Sequence, residues 1–240
     1  MRSYQYFDFI MAAFVAVLLI SNVASSAKIV DWGFSLFGVR MAFDAGTLLF
    51  PLSYIFGDIL TEVYGYARSR KVIWAGFAAM LLTSVCIFVI GLLPGESTWQ
   101  QYAGDSAFQS ILGSVGSGAI VLASLTAYFC GEFMNSYVLA KMKVAMGGRH
   151  LWMRTIGSTI VGEGVDTVAF ILIATLFGVF PWSVFVSLVV TNYLFKVGIE
   201  VVLTPVTYRV VALLKREEQE DYYDRTTDFN PFTLAACRQL

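Results

Sequence analysis

The sequence predicts an all-α, polytopic membrane protein with six transmembrane helices. Apolar residues make up 58% of the chain and charged residues only 14%, whereas soluble domains are about 45–50% apolar and about 25% charged. The mean hydropathy is +0.70. The apolar residues are gathered into runs of about 20, the length at which a helix crosses a bilayer. Basic residues cluster at alternate ends of these runs, as in membrane proteins of defined orientation.

Six such runs follow one another, and each is predicted to form one span: residues 7–27, 44–66, 72–93, 117–140, 155–180 and 182–214. The first run continues into the polar string SNVASSAK and is interpreted as a span rather than a removable signal. Residues 94–116 are polar and rich in glycine and serine, and they predict a short surface helix over 100–112. Pro205 lies inside the last run, where we expect it to end or kink the helix.

The distribution of positive charge predicts the orientation. In the six-span arrangement the loops on one side hold only Lys28 and Arg40. The other side holds the remaining basic clusters: Arg2, Arg68, Arg70, Lys71, Lys141, Lys143, Arg149, Arg154, Arg209, Lys215 and Arg216. By the positive-inside rule both termini are cytoplasmic. Residues 1–214 then form a six-helix transport domain, and residues 215–240 a solvated cytoplasmic tail.

Acidic residues inside the apolar runs are the main functional signal. Asp58 and Glu62 are four residues apart and project from one helix face. A charged side chain at the bilayer centre costs roughly 2.5–3.5 kcal/mol or more, so it needs a cavity or a partner. At about 1.5 Å per residue, ionisable groups on four predicted helices fall at a similar depth: Asp58, Glu132, Glu163, Asp166, Lys196 and Glu200. This pattern predicts a central polar cavity.

A purely structural interpretation of these charges stays open. Lys196 could neutralise a carboxylate and hold helices together, and Glu62 could pair with Arg68 or Arg70. The buried carboxylates nevertheless outnumber the single buried cation, and the excess requires protons, ligand donors or water. Three asparagines in the spans could line the cavity or form hydrogen bonds between helices: Asn22, Asn135 and Asn192.

Several function classes are excluded or disfavoured. A near-neutral charge balance without a basic stripe argues against a nucleic-acid partner. The three cysteines form no CxxC pair and no metal-ligand spacing, so neither a metal nor a cofactor is expected. The chain lacks HExxH and GxSxG motifs, so we do not expect an enzyme. An intramembrane hydrolase with two catalytic carboxylates, or a proton-coupled carrier of another small polar solute or vitamin, remains an alternative.

A short pattern is repeated on the second and fourth predicted spans. Tyr54 to Asp58 read YIFGD, and Tyr128 to Glu132 read YFCGE. Both strings are Tyr-x-x-Gly-acid, and both helices are predicted to run inward. The glycine permits close helix approach, and the acid follows it towards the cavity. Tyr54 and Tyr128 themselves are interpreted as packing residues.

Three longer strings resemble a known family. They are FPLSYIFGDILTEVYGYARSRKVIWAGF (50–77), GEFMNSYVLAKMK (131–143) and RTIGSTIVGEGVDTVAF (154–170). In this order they are similar to the queuosine precursor transporters of the vitamin uptake transporter group. The resemblance implies a bacterial inner-membrane importer of 7-cyano-7-deazaguanine, and of its aminomethyl relative, for queuosine synthesis in tRNA. It also implies a fold similar to the membrane substrate-binding subunits of energy-coupling-factor importers.

The resemblance also implies which residues form the site. The predicted substrate-binding residues are Asp58, Glu132, Asn135, Glu163, Asp166, Asn22 and Lys196, and the residues predicted for coupling or gating are Glu62 and Glu200. A deazaguanine presents its N1–H beside an exocyclic amino group, and one carboxylate can accept both. The other partners expected are the lipid bilayer and a second copy of the chain. Small residues would permit that homodimer: Gly113, Gly116, Gly118, Gly157, Gly162 and Gly164.

Overall fold

The computed structural model describes residues 4–36 and 39–233. Helices dominate it, which confirms the predicted all-α membrane class. The elements in chain order are α1 (Phe7–Ala27), β1 (Ile29–Leu36), β2 (Val39–Asp44), α2 (Phe50–Tyr64), α3 (Tyr66–Gly91), α4 (Ser97–Tyr102), α5 (Gly104–Gly116), α6 (Gly118–Ala145), α7 (Leu151–Leu176) and α8 (Phe185–Glu218). Within the described residues, five helical stretches are long and apolar enough to cross a membrane. These are α1, α3, α5 with α6, α7, and α8 with the turn before it.

The second predicted span, residues 44–66, is shorter in the structure than in the prediction. A 3₁₀ turn over Ala45–Leu48 precedes α2, and Gly65 ends α2 with a φ of 84°. Fifteen residues extend about 22 Å, less than a hydrocarbon core of about 30 Å. Most of α2 is buried, and it contacts α1, α3, α6 and α8. It is an inner helix, and the count of six spans stays a prediction.

Three further features differ from the sequence-based expectation. The segment between α1 and α2 forms an antiparallel hairpin of β1 and β2, which the apolar pattern did not indicate. Pro205 does not end the last helix, because α8 continues through it to Glu218. The predicted surface helix over 100–112 is present as two helices, α4 and α5, separated at Ala103.

Most of the glycines proposed for a dimer surface make contacts inside the chain. A methyl group added to Gly162 would lie 2.6 Å from Asn135 Cβ on α6, and one added to Gly116 would lie 3.2 Å from the backbone of Phe88 on α3. Gly157 faces Met142 and Gly164 faces Tyr193. These glycines therefore allow neighbouring helices within one chain to approach closely.

Residues 220–233, here called the C-terminal segment, fold back onto the basic end of the helices. Asp224 accepts hydrogen bonds from the Tyr66 backbone (3.0 Å) and from Thr227, while Arg70 donates to two carbonyl oxygens, of Asp228 (2.9 Å) and Asn230 (2.6 Å). A solvated tail was expected over 215–240. The structure instead places residues 215–218 in α8 and docks the C-terminal segment; residues 234–240 lie outside the described residues, as does Arg2.

Aromatic and ionic contacts add to this docking. Trp74 Nε1 donates to the Pro231 carbonyl (2.8 Å), and the ring of Phe232 stacks on Phe129 with centroids 5.8 Å apart. Burial raises the pKa of Asp221, but hydrogen bonds from Lys143 and Lys215 outweigh it and hold the pKa below its usual value. The sequence misled here because a segment rich in charge and tyrosine has the composition of a solvated tail.

The residues before α1 lie beside the end of α8. Glu218, at the end of α8, accepts hydrogen bonds from the backbone N–H groups of Gln5 (3.1 Å) and Tyr6 (2.7 Å) before α1. Tyr4 Oη donates to Glu220 Oε2 at 2.5 Å. The start of α1 and the end of α8 are therefore on the same side of the bundle.

Candidate functional site

Four helices, α2, α6, α7 and α8, pack against one another and bring most of the predicted site residues together. On α6, α7 and α8 the polar residues of the group come in pairs three or four residues apart, which places each pair on one helix face; α2 contributes Asp58. All of them are buried except Asp166, which is partly buried. The group consists of Asp58 on α2, Glu132 and Asn135 on α6, Glu163 and Asp166 on α7, and Lys196 and Glu200 on α8.

Glycines bring these side chains close to one another. A methyl group added to Gly57 on α2 would lie 3.0 Å from Glu132 Oε2 on α6. One added to Gly131 would lie 2.7 Å from Asp166 Cβ on α7 and 3.1 Å from the Gly162 carbonyl. The repeated Tyr-x-x-Gly-acid pattern therefore has a structural reason, because each glycine leaves room for a functional side chain of the neighbouring helix.

Lys196 neutralises the α7 pair of carboxylates. Its Nζ donates to Asp166 Oδ2 at 2.6 Å. It also forms an ion pair with Glu163 Oε2 at 2.9 Å. The ring of Phe50 lies beside the ammonium, with its centroid 5.3 Å from Nζ. The structural role considered for Lys196 is thus present, and it joins α8 to α7.

The remaining carboxylates of the site have no cation in contact among the described residues. Asp58 Oδ1 accepts a hydrogen bond from Asn135 Nδ2 at 2.7 Å. Asp58 Oδ2 and both carboxylate oxygens of Glu132 and of Glu200 are buried without a hydrogen-bond partner. Such unmatched buried acceptors are costly to a protein. They are suited to accept hydrogen bonds from a ligand or to hold protons.

Glu62 belongs to a separate ionic cluster nearer the basic end of the bundle. Its Oε1 lies 2.8 Å from Arg154 Nη2, 2.6 Å from Lys215 Nζ and 3.6 Å from Lys143 Nζ. The predicted partners Arg68 and Arg70 were wrong for this residue. Arg68 donates to the Tyr64 carbonyl instead, and Arg70 holds the C-terminal segment.

Two of the asparagines are not brought to the acidic group by any described contact. Asn22 Nδ2 donates to the Leu18 carbonyl at 2.9 Å, and Asn192 Nδ2 donates to the Leu188 carbonyl at 2.9 Å. Both amides bond to the preceding turn of their own helix. A role for Asn22 in substrate binding stays a prediction.

The sequence-based argument missed three buried hydroxyl groups close to the acids. Tyr54 Oη, Thr159 Oγ1 and Thr167 Oγ1 have no hydrogen-bond partner among the described residues. Other helical hydroxyls of this chain, such as that of Thr204, bond to the carbonyl four residues earlier. A usable signal was present, because Thr159 and Thr167 flank Glu163 at four-residue intervals on the same face.

Neither a metal site within the described residues nor the crevice between α3 and α5 competes with the acidic group. No set of three His, Cys, Asp or Glu residues within the described ranges is arranged to hold a metal ion. A crevice of about 310 Å³ lies between α3 and α5. It is lined by Ile87, Phe88, Gly91, Leu92, Phe108, Gln109, Gly113, Gly116, Ser117 and Gly118, and it contains none of the predicted site residues.

Comparisons with known proteins agree with the resemblance found in the three motifs. A curated relative from Bacillus subtilis (strain 168), named "Probable queuosine precursor transporter", is 29% identical over 72% of this chain and 74% of its own length. The "Queuosine precursor transporter" of Escherichia coli (strain K12) is 27% identical over 81% of this chain and 84% of its own length. No solved structure matches the chain.

The family model described as "Putative vitamin uptake transporter" matches residues 44–210. This range begins just before α2, ends within α8 and contains every residue of the acidic group. Together with the apolar helices, it makes the chain a multi-pass membrane protein. The chain belongs to the vitamin uptake transporter family.

Proposed function

We propose that this protein imports a queuosine precursor, 7-cyano-7-deazaguanine, across the bacterial inner membrane. The observation that carries the proposal is the set of buried carboxylate oxygens without partners on Asp58, Glu132 and Glu200. They lie on α2 and on two helices that pack against it, α6 and α8, inside the segment matched by the family. Curated relatives that cover most of the chain are named for transport of the same class of compound.

The chemistry of the base supports this substrate class. A 7-deazaguanine offers an N1–H and an exocyclic amino group side by side, and a carboxylate accepts both. Glu132 is the best placed to do so, because neither of its oxygens is engaged. Asp58 keeps one oxygen open while Asn135 fixes the other. We therefore propose that Glu132 and Asp58 bind the base, with Asn135 orienting Asp58.

The other predicted residues receive supporting roles in this proposal. Lys196 holds Glu163 and Asp166 in place at one side of the site. Glu200 interacts electrostatically with Asp58 and Glu163, which suits it to coupling. Glu62 joins α2 to three other helices at the basic end, which suits it to gating. An aminomethyl precursor would present a cation to the same excess of carboxylates, so we include it in the substrate class.

Transport by this chain needs no catalytic group and no cofactor in our proposal. The precursor either diffuses down its gradient and is consumed inside the cell, or a buried carboxylate carries a proton with it. An uncoupler applied to vesicles distinguishes the two routes, because proton linkage predicts loss of accumulation. A second measurement is the uptake of labelled deazapurine with unlabelled deazapurine as competitor. If the protein carries another small polar solute instead, there is no such uptake to compete for.

The transport activity has a direct test in cells that lack both precursor synthesis and a transporter of their own. Expression of this chain is expected to restore queuosine in tRNA when 7-cyano-7-deazaguanine is supplied outside. The double variant Asp58→Asn/Glu132→Gln, expressed at the same level, is the control and should restore none. Normal insertion of the wild-type protein without any queuosine would refute the proposed function.

The orientation is proposed from the basic residues and has a separate test. We expect residues 1–214 to form the transport domain and both termini to be cytoplasmic. In a variant without the native cysteines, a cysteine at Ser97 should react with a membrane-impermeant reagent from outside, and one at Arg216 should not. Both positions are exposed in the structure. Reaction of the Arg216 position from outside would contradict the cytoplasmic location of the C-terminus.

A homodimer stays a prediction that mass measurement in nanodiscs can check.

A further inference from the structure

The two tyrosines of the repeated pattern differ in their hydrogen bonds. Tyr54 and Tyr128 occupy equivalent positions, four residues before Asp58 and Glu132, and are only 4% and 5% exposed. Tyr128 Oη donates to the Ile73 carbonyl at 2.9 Å and so links α6 to α3. Tyr54 Oη has no hydrogen-bond partner among the described residues. The same residue type in the same motif is therefore satisfied by the fold in one case only.

The unsatisfied hydroxyl of Tyr54 lies among the acids of the site. A methyl group on Gly131, the residue before Glu132, would be 2.5 Å from Tyr54 Oη and 2.7 Å from Asp166 Cβ. Tyr54 also interacts electrostatically with Asp166, Glu163 and Glu132. Its hydroxyl therefore points from α2 towards the junction of α6 and α7, where the open carboxylate oxygens are found.

A base bound among these acids also needs hydrogen-bond donors from the protein. Carboxylates only accept hydrogen bonds when ionised, whereas a purine-like base also presents acceptors of its own. The ammonium and amide groups of the site are already engaged, since Lys196 binds Glu163 and Asp166 and Asn135 binds Asp58. This leaves hydroxyl groups as the open donors: those of Thr159 and Thr167 on α7, and that of Tyr54 on α2. A buried hydroxyl without a partner is costly, and a ligand that accepts its hydrogen bond would remove that cost.

We propose that Tyr54 is a further substrate-binding residue, which donates a hydrogen bond to an acceptor atom of the bound base, whereas Tyr128 is structural. The proposal rests on the proposed function, because it assumes a heteroaromatic substrate held between α2, α6 and α7. It assigns the two halves of the repeated motif different tasks. The α2 copy contacts the ligand through both its tyrosine and its acid, and the α6 copy uses its tyrosine to fix the helix.

The test compares Tyr54→Phe with Tyr128→Phe, two variants that each remove one nearly buried hydroxyl. Binding of 7-cyano-7-deazaguanine to the full chain in nanodiscs is measured together with the unfolding temperature of the unliganded protein. Tyr54→Phe is expected to weaken binding about tenfold without lowering the unfolding temperature. Tyr128→Phe should lower the unfolding temperature while affinity stays within about twofold.

Three outcomes would count against the inference. If Tyr54→Phe binds like the wild type, the hydroxyl has no contact with the ligand and only this inference fails. If Tyr54→Phe lowers the unfolding temperature as Tyr128→Phe does, Tyr54 is structural. If the wild-type protein itself binds no deazapurine, the proposed function fails and the role of Tyr54 fails with it.

Discussion

Replacing Glu62 with glutamine is expected to destabilise the folded protein by about 3 kcal/mol, since removing one partner of a buried ion pair leaves the other charge uncompensated. Glu62 is fully buried, and it pairs with Arg154 and Lys143, which are each only 1% exposed. Lys215 is a third cation at the same carboxylate oxygen. Glutamine has nearly the same shape as glutamate, so the loss of stability reports the contribution of the negative charge. Thermal unfolding of the purified protein in nanodiscs checks this.

Asp221→Asn is the matched control for this network. Asp221 contacts the same two lysines, at 2.5 Å from Lys143 and 2.8 Å from Lys215, but its side chain is 43% exposed. Solvent-exposed pairs contribute only about 0–1 kcal/mol, so this variant should unfold close to the wild-type temperature. Equal unfolding temperatures for Glu62→Gln and the wild type would show that the buried cluster does not stabilise the fold.

The difference between Glu62 and the other acids shows what could be predicted from the sequence. The depth and face of each acidic residue follow from helix geometry, which is the same in every α-helix. Together with the alternating direction of the helices, it predicts that Asp58, Glu132 and Glu163 lie at a similar depth, and the packing of α2 and α7 against α6 brings them together. The partners of Glu62 could not be predicted, because they come from three other helices and depend on how those helices pack.

The fold departed from expectation where local signals are ambiguous. Gly57 and Gly65 both lie in the second apolar run, but one is a packing position inside α2 and the other ends it at positive φ. A glycine is compatible with either role, so the apolar run predicted a full span where the structure has the short α2. The docking of the C-terminal segment could not be predicted from the sequence either. Many of its contacts are made by backbone carbonyls, such as those of Asp228 and Pro231, which every residue type has.

The hydroxyl groups of the site were missed for a related reason. Threonine in a membrane helix commonly bonds to its own backbone, and tyrosine commonly packs or bonds to another helix, so neither residue type by itself indicates a ligand. Only the structure distinguishes Tyr54, which has no partner among the described residues, from Tyr128, which has one. The acids were a stronger signal because no local contact can satisfy an ionised carboxylate inside a bilayer.

Amide replacement of the two open acids is expected to abolish high-affinity binding. Glu132→Gln and Asp58→Asn should each weaken binding of 7-cyano-7-deazaguanine on the order of 100-fold or more. Each change keeps the shape but turns one acceptor into a donor, so the amide N–H would face an N–H of the base. Glu163→Gln should also weaken binding. This variant has a second effect, because it removes one of the two carboxylates that pair with Lys196 and leaves only Asp166.

The unfolding temperature of each variant without ligand shows whether a loss of binding is due to the site itself or to a destabilised fold. Glu132 makes no hydrogen bond among the described residues, so Glu132→Gln should unfold at or above the wild-type temperature while binding is lost. Asp58→Asn should unfold at a somewhat lower temperature, because it weakens the contact with Asn135. Asp105→Asn, which changes an exposed residue in the first turn of α5, is the control and should bind like the wild type. If all three buried amide variants bind normally and remain folded, the acidic group is structural and the base is recognised elsewhere.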